Sequence, residues 1–282
     1  MSFEPWKFIF ASVIGTSHTK AGTPCQDASA CRLLTSADGS SVLVAVVADG
    51  AGSARKSEVG AALACSLFLE EMSSLFELGG AVREITPDFA KSWITRFHNE
   101  VTLRAEAEEL KSRDFACTFL AAVVGKDSAV FLQIGDGAIV VLSQEEPDEY
   151  GHVFWPQQGE YANVTNFVTD RTAHEKLEYL LVNRCIDEVA LFSDGLQNLA
   201  LHYESRMAHT PFFQPIFTWL RPAPAGFTEK LSFSLASYLD SQKLNDCTDD
   251  DKTLILATRC PSVEPQADDE RANGSEGQTT TL

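Results

Sequence analysis

The sequence is short of positive charge. Its 282 residues include 22 Lys and Arg against 40 Asp and Glu, which gives a formal net charge of −18. Proteins that bind nucleic acids or anionic membranes present a basic surface to the phosphates. The composition therefore argues against both as partners. Most of the surplus carboxylates form a solvated acidic surface, but such groups also serve as ligands for divalent cations.

Long apolar runs are missing as well. No run approaches the roughly 20 residues that cross a bilayer. The first ten residues, MSFEPWKFIF, lack the basic segment and the long apolar segment of a signal peptide. We therefore expect a cytoplasmic protein. Its length and its 44% hydrophobic residues predict a globular chain with a large core.

The seven cysteines form no recognisable framework. Their number is odd, no pair is spaced as CxxC, and neither they nor the six histidines show the close spacing of zinc ligands. This pattern argues against a disulfide-stabilised fold and against a zinc site. We expect free thiols, most of them buried.

One stretch organises the rest of the chain. Residues 42–58 read VLVAVVADGAGSARKSE, in which seven apolar residues precede an Asp-Gly turn. A short apolar run rich in β-branched residues predicts a strand buried on both faces. Asp49 stands at its end, and Gly50 and Gly52 allow the backbone to bend sharply. Asp49 is either a solvated turn residue or a side chain placed to hold a cation or a proton.

The remaining pattern alternates short strands with a few long helices. Short strands joined by tight turns predict an antiparallel meander rather than βαβ units. Residues 144–172 are expected to form a surface hairpin or loop, and 211–224 a proline-broken segment. We predict strands over 8–14, 28–34, 42–48, 115–124, 129–134, 138–142, 188–192 and 253–257, and helices over 57–76, 87–110, 196–207 and 227–239.

Aspartates recur at the ends of these strands. Carboxylates gathered on one edge repel one another unless they are protonated or bridged by cations. A site with only oxygen ligands suits Mg²⁺ or Mn²⁺, and a pair of such ions can ionise a water and clamp phosphate oxygens. The pattern indicates an acidic metal site that is compatible with phosphoryl hydrolysis. The aspartates are Asp27, Asp49, Asp136, Asp194 and one or two within 249–251.

Six motifs occur in the order and context of a known family. The chain resembles the protein phosphatase 2C (PPM-type) metal-dependent serine/threonine phosphatases, and the resemblance covers about residues 8–258. Each motif alone is weak, but six in the correct order are specific. They are Gln26-Asp27-Ala28, Asp49-Gly50-Ala51-Gly52, residues 116–121 (ACTFLA), Gly135-Asp136-Gly137, Ser193-Asp194-Gly195 and Asp250-Asp251-Lys252-Thr253.

The resemblance implies an α+β fold, a four-layer αββα sandwich of two antiparallel sheets flanked by helices, with the metals at one edge. It implies a catalytic domain over 1–260. Residues 261–282 lack periodicity and carry five acidic residues against one arginine, so we expect a disordered acidic tail there.

The resemblance also implies roles for particular residues. Asp49 would bridge two Mn²⁺ or Mg²⁺ ions, with Asp194 and Asp250 on the second ion, and these three would be the catalytic set. A weaker third ion would use Asp136 together with Asp194. The nucleophile would be the hydroxide that bridges the metals, without a phospho-enzyme intermediate. The whole implied metal set is Asp27 (through a bound water), Asp49, Gly50 (through its carbonyl), Asp136, Asp194 and Asp250.

The chain also departs from the family pattern. Gly22 stands where many members have a phosphate-binding arginine, Ala51 where some have a proton-donating histidine, and Gly137 where a serine is usual. The chain nevertheless looks like a divergent bacterial branch of the family, on the pattern of His18, Gly22, Pro24-Cys25-Gln26-Asp27 and Asp49-Gly50-Ala51-Gly52-Ser53-Ala54. The residues that could bind phosphate instead are His18, Lys20 and Arg55.

The main hypothesis is therefore a Mn²⁺- or Mg²⁺-dependent enzyme that removes phosphate from phosphoserine and phosphothreonine on proteins. It would act as a monomer and oppose a bacterial serine/threonine kinase. One alternative is a catalytically weak relative that binds a phosphoprotein or another partner. Another is a phosphohydrolase of small molecules.

Overall fold

A computed structural model of the chain describes residues 5–143, 145–157 and 165–261. The predicted tail lies, from residue 262 onward, outside the described residues. The described strands are β1 (Lys7–Val13), β2 (Ala28–Thr35), β3 (Ser41–Ala48), β4 (Phe119–Val124), β5 (Ala129–Ile134), β6 (Ala138–Ser143), β7 (Glu146–His152), β8 (Glu178–Val182), β9 (Ile186–Phe192), β10 (Leu201–His202), β11 (Met207–Ala208), β12 (Gly226–Phe227) and β13 (Lys252–Thr258).

The helices are unequal in length, and the two longest lie in the first half of the chain. In the part of the chain that the structure describes, three short 3₁₀ turns accompany them at Val82–Glu84, Ser112–Phe115 and Asp194–Leu196. The described α-helices are α1 (Thr16–Ala21), α2 (Ser57–Glu77), α3 (Pro87–Ala107), α4 (Ala173–Lys176), α5 (Gln197–Ala200), α6 (Thr210–Leu220), α7 (Glu229–Leu239) and α8 (Gln242–Asn245).

Two sheets carry most of the strands. Within the described residues, one sheet has the order β12-β1-β13-β9-β6-β7 and the other β2-β3-β4-β5-β8. Their pairings are antiparallel, except that the two-residue strand β12 runs parallel to β1. The antiparallel arrangement predicted from the tight turns is therefore confirmed.

The alternation along β3 shows how the layers form. Val44 and Val46 face the core that α2 and α3 cover, whereas Leu43 and Val47 face the core between the two sheets. A strand covered on both faces needs apolar side chains at every position. The six-stranded sheet that contains β1 and β13 packs one face against β3's sheet. Helices α6 and α7 cover its opposite face, around buried residues such as Phe213. The four-layer αββα sandwich is confirmed.

Among the described residues, one helix is long and apolar enough to cross a membrane by length and composition alone. It is α2, Ser57–Glu77, and 44% of its most apolar window is buried in the fold. A core helix satisfies the same criterion, and α2 packs on β2, β3 and α3. Its burial therefore accounts for its composition.

Several predicted elements match the structure closely. Thr86 caps α3, because its hydroxyl accepts a hydrogen bond from the amide of Phe89 at 3.2 Å, and Pro87 opens the helix as expected. The spaced aromatic residues of that helix are core residues. Trp93 stacks on Phe119 of β4 with ring centroids 4.1 Å apart, and Phe97 is fully buried.

Three predictions of local structure are wrong. Residues 196–207 form a turn, the short helix α5 and a hairpin of β10 and β11 instead of one helix. Residues 211–224 are mostly helix α6, because Pro211 occupies the first turn and the helix continues through Pro215. The strand predicted from 115 begins at Phe119, since the preceding residues follow the Asp49 loop instead of a neighbouring strand.

Two further expectations are corrected in part. The predicted surface segment 144–172 contains strand β7, which pairs with β6, and its residues 158–164 lie outside the described part. All seven cysteines are free, but only Cys65 and Cys117 are buried and Cys247 is exposed. Cys31 is only partly buried because it lies on β2, an edge strand of its sheet.

Candidate metal centre

The carboxylates predicted from the strand ends meet at one edge of the sandwich. Asp49 follows β3, Asp136 lies in the turn between β5 and β6, and Asp194 follows β9. One carboxylate oxygen from each of these three residues lies within 4.8 Å of the others. Strands from both sheets therefore deliver acids to one point.

The pKa values of these clustered carboxyl groups are raised. Burial raises the pKa of Asp49 well above its usual value, and the charges of Asp27, Asp194 and Asp136 raise it further. Burial, followed by the charges of Asp136 and Asp250, raises the pKa of Asp194 to about 7. The pKa of Asp136 is raised mainly by burial. Without a counter-charge, the cluster resists full ionisation at neutral pH.

Backbone hydrogen bonds fix the loop that carries Asp49. The Asp49 amide donates to the hydroxyl of Thr118 at 2.9 Å, and the Thr118 amide donates to the Asp49 carbonyl at 2.8 Å. The Ala51 amide donates to the carbonyl of Ala116 at 2.9 Å. The small-residue segment before β4 is thus the support of the Asp49 loop.

Gly50 is required by a close approach of the chain. A Cβ at this position would lie 2.7 Å from the carbonyl oxygen of Gln26 and 2.7 Å from the side chain of Ser57. The Gly50 amide also donates to the Gln26 carbonyl at 3.2 Å. Any larger residue would push apart the two loops that carry Asp27 and Asp49.

Asp27 lies behind the three clustered acids. The hairpin of β2 and β3 aligns Ala28 with Ala48, so Asp27 and Asp49 are close as predicted. One Asp27 oxygen accepts a hydrogen bond from the hydroxyl of Ser193 at 2.7 Å, while the other is buried without a partner among the described residues. Burial raises the pKa of Asp27 to about 6.

Asp136 and its turn explain one departure from the family pattern. The Asp136 carboxylate accepts a hydrogen bond from the hydroxyl of Thr165 at 2.6 Å. At the following Gly137, a Cβ would lie 2.6 Å from the carbonyl oxygen of Phe192 and 2.6 Å from the side chain of Leu120. The packing here excludes the serine that is usual at this position.

The closing motif contributes two aspartates with different surroundings. Asp250 is exposed, lines the same cavity as the three clustered acids, and accepts a hydrogen bond from the Asp251 amide at 2.8 Å. It stands outside the group of oxygens within 4.8 Å. Asp251 is buried, and its two oxygens accept hydrogen bonds from the amides of Gly15 and Gln26, both at 2.6 Å.

The role of Asp251 was not identified from the sequence. The resemblance directed attention to Asp250, the first acid of the motif, and assigned nothing to the second. A signal was present, because Asp251 immediately precedes the buried strand β13 and a buried carboxylate needs several partners. Those partners are backbone amides more than 200 residues away, which carry no sequence signature.

The three candidate phosphate-binding residues differ in position. His18 borders the cavity, and its Nδ1 lies 2.9 Å from an oxygen of Asp251. Lys20 and Arg55 are exposed and do not border it. The cavity has a volume of about 320 Å³, and its described lining is Ser17, His18, Asp49, Gly50, Ala51, Gly52, Ser53, Thr118, Asp136, Thr165, Phe167, Asp194, Asp249 and Asp250.

This cluster fits divalent cations in two respects. Three carboxylates within 4.8 Å offer an oxygen-only ligand set, which is the chemistry that Mg²⁺ and Mn²⁺ prefer. The unpartnered oxygen of Asp27 is a buried acceptor that still needs a donor or a positive charge. Both observations indicate a centre in which cations balance the carboxylates.

Comparison with known proteins agrees with this geometry. The sequence profile of the protein phosphatase 2C family matches residues 14–240. The serine/threonine-protein phosphatase 3 of Escherichia coli (strain K12) is 38% identical over 256 residues, which cover 89% of this chain and 98% of the relative. The profile match ends before Asp250 and Asp251, whereas the relative aligns over nearly its whole length.

Solved structures show the same fold. A bacterial serine phosphatase superposes with a TM-score of 0.60 at 16% identity, covering 91% of this chain and 99% of that one. The serine/threonine phosphatase Stp1 from Staphylococcus aureus gives a TM-score of 0.57 at 16% identity, covering 92% and 95%. Because the family profile covers most of the chain and the relative is 38% identical, the chain belongs to the protein phosphatase 2C family of metal-dependent serine/threonine phosphatases.

Proposed function

We propose that this protein hydrolyses phosphoserine and phosphothreonine on protein substrates with the help of Mn²⁺ or Mg²⁺ held by the acidic cluster. The observation that carries the proposal is the meeting of Asp49, Asp136 and Asp194 within 4.8 Å at the cavity. A site that only binds a partner would have no need of three half-buried acids whose charges raise the pKa of Asp49 and Asp194. Intact carboxylates therefore favour an active enzyme over a partner-binding relative.

The residues that would hold the ions are the six named from the resemblance. Asp49, Asp136 and Asp194 supply the closest oxygens, the Gly50 backbone and Asp250 border the same cavity, and Asp27 lies behind them. When bound, such ions supply an ionised water as the nucleophile and offset the charge of the phosphoryl oxygens.

The chain's own residues hold this arrangement rigid. Thr118 fixes the Asp49 backbone from both sides, and Ser193 holds Asp27. The Ser193 hydroxyl in turn accepts a hydrogen bond from the amide of Thr253 at 3.0 Å. The acids are therefore oriented before any ligand arrives, which lowers the reorganisation needed during the reaction.

The proposal extends to the setting of the enzyme. A phosphorylated serine or threonine must be produced by a kinase, so we propose that this enzyme opposes a serine/threonine kinase. We also propose that it acts in the cytoplasm and as a monomer. The 38% identity to a bacterial serine/threonine phosphatase supports a bacterial phosphoprotein as substrate. A small-molecule phosphate ester is the competing substrate class.

The test combines metal binding with turnover. The purified chain is assayed on a phosphothreonine peptide and on a panel of metabolite phosphates, with EDTA, Mg²⁺ and Mn²⁺ in parallel. We expect hydrolysis of the peptide only with metal, and loss of both hydrolysis and calorimetric metal binding in Asp49→Asn. The matched control is Asp127→Asn, an exposed aspartate that approaches Arg83 at 3.9 Å and accepts a hydrogen bond from the Ser128 hydroxyl at 3.4 Å. Hydrolysis that persists in EDTA or in Asp49→Asn would refute the proposal.

A further inference from the structure

The cavity at the acidic cluster contains very little positive charge. Asp49, Asp136, Asp194, Asp249 and Asp250 all border it. Among the described residues that line the cavity, His18 is the one side chain that can become cationic. Among the described lining residues, a phosphorylated side chain entering this site therefore meets one basic side chain, His18.

His18 lies next to the carboxylate of Asp251. It lies on the short helix α1, and its side chain is 18% exposed. Its Nδ1 is 2.9 Å from an oxygen of Asp251, whose side chain is only 3% exposed. The two atoms do not form a hydrogen bond of good geometry, so the contact is a close approach of the ring to the carboxylate.

Asp251 is itself immobilised. Its oxygens accept hydrogen bonds from the amides of Gly15 and Gln26, which flank α1 on either side. A buried carboxylate next to Nδ1 restricts the orientation of the His18 ring. Among the described residues, none forms a hydrogen bond with Nε2 of His18, so this nitrogen is left for a ligand in the cavity.

We propose that His18 donates the Nε2 proton to the serine or threonine oxygen that leaves the phosphoryl group, and that Asp251 positions the ring. The inference rests on the proposed phosphatase function. It assigns the proton donor to a residue outside the Asp-Gly-x-Gly motif, where this chain has Ala51.

The oxygen of the attacking water forms a bond to phosphorus while the bond from phosphorus to the substrate's side-chain oxygen breaks. The substrate's side-chain oxygen takes the electron pair of the broken bond and the Nε2 proton, which leaves a neutral imidazole. The water's proton passes to solvent, and solvent reprotonates the ring. A serine or threonine alkoxide is strongly basic, so its departure benefits from a positioned acid.

Leaving-group dependence separates this role from simple phosphate binding. p-Nitrophenolate is a stable anion and needs no proton, whereas the alkoxide of a phosphothreonine peptide does. His18→Gln and His18→Asn should lower kcat for the peptide by about 10²- to 10⁴-fold, the usual contribution of a general acid. The same variants should change kcat for p-nitrophenyl phosphate far less, with KM for both substrates altered little. Asp251→Asn should also lower kcat for the peptide more than kcat for p-nitrophenyl phosphate, but by a smaller factor.

Each outcome has a defined meaning. Activity on p-nitrophenyl phosphate in the same preparation shows that a variant is folded, and near-ultraviolet circular dichroism confirms it where activity is low. His174→Gln, a histidine that instead contacts Thr95 and the Lys91 carbonyl, should retain both activities. Equal losses on both substrates in a folded His18 variant, or no loss on either, would overturn the assignment while leaving the phosphatase function standing. A wild-type protein that hydrolyses neither substrate with any ion would overturn both.

Discussion

Replacing Asp194 by Asn should stabilise the metal-free protein while removing its response to metal. Burial and the neighbouring charges raise the pKa of Asp194 from 3.8 to about 7. Below pH 3.8 the carboxyl is protonated in both the folded and unfolded states, so it contributes no penalty. Above pH 7 it is ionised in both states, and the folded state bears the full cost of a charge among other acids. Stability is therefore lost as the pH rises between these values.

The two pKa values set the size of the effect. At about 1.4 kcal/mol per pH unit, a rise from 3.8 to about 7 corresponds to at most about 4 kcal/mol. Asp194 shares this penalty with Asp49 and Asp136, so we expect about 2 kcal/mol from the single substitution. At about 2–4 °C per kcal/mol for a chain of this size, Tm should rise by about 4–8 °C in EDTA at pH 8.

The assay is thermal unfolding of wild type and Asp194→Asn in EDTA at pH 4 and pH 8, repeated with Mn²⁺ at pH 8. The stabilisation should vanish at pH 4, because the carboxyl is then mostly protonated in the folded wild type. Mn²⁺ should raise Tm of the wild type, since it binds the folded state, and should raise that of the variant much less. The exposed Asp127→Asn should change stability by less than about 0.5 kcal/mol. An Asp194→Asn protein that melts below wild type at pH 8, or shifts equally at both pH values, would refute the reasoning.

Two further predictions concern the scaffold. Glu188 is fully buried and accepts hydrogen bonds from two nitrogens of Arg221 at 2.9 and 3.0 Å; Glu188→Ala should therefore cost about 3–5 kcal/mol in urea unfolding by leaving the arginine unpaired. A midpoint that does not move would contradict the importance of this pair. Gly137→Ser should destabilise by about 1–3 kcal/mol, because its Cβ would meet the Phe192 carbonyl at 2.6 Å. Gly151→Ala is the control, since a Cβ there meets nothing within 4 Å, and equal effects at both glycines would count against the steric argument.

The hydrophobic pattern alone predicted that β3 is covered on both faces, whereas the four-layer sandwich was implied by the family resemblance. Strand β3 is apolar at seven consecutive positions because it is covered on both faces, and that composition is visible directly in the sequence. The start of α3 could also be predicted from the sequence, because Thr86 and Pro87 act on the first turn of the helix that they begin. Where the predictions were wrong, the cause was tertiary. Residues 196–207 have helical periodicity, but they turn into the β10–β11 hairpin after a single helical turn.

The residues of the candidate site also fall into two groups, those that could be predicted from the sequence and those that could not. Asp49, Asp136 and Asp194 could be found because each follows a buried strand, and Asp27 because it directly precedes β2, the strand that pairs with β3. Which acid of the closing motif is buried could not be found, because the partners of Asp251 are backbone amides. Backbone groups look alike in every sequence, so their positions follow only from the fold.

The contact between Asp251 and the first loop has a consequence for how the site assembles. Gly15 and Gln26 lie near the start of the chain, and the carboxylate that joins them immediately precedes β13, which lies between β1 and β9. The segment that carries His18 is therefore in place only after the last strand has entered its sheet. Strand β13 also pairs with β9 and exchanges hydrogen bonds with Ser193, so the position of Asp194 depends on the same strand. The acidic cluster and His18 therefore both rely on β13, but Asp251 contacts the His18 segment directly, so Asp251→Asn should weaken proton donation more than metal binding.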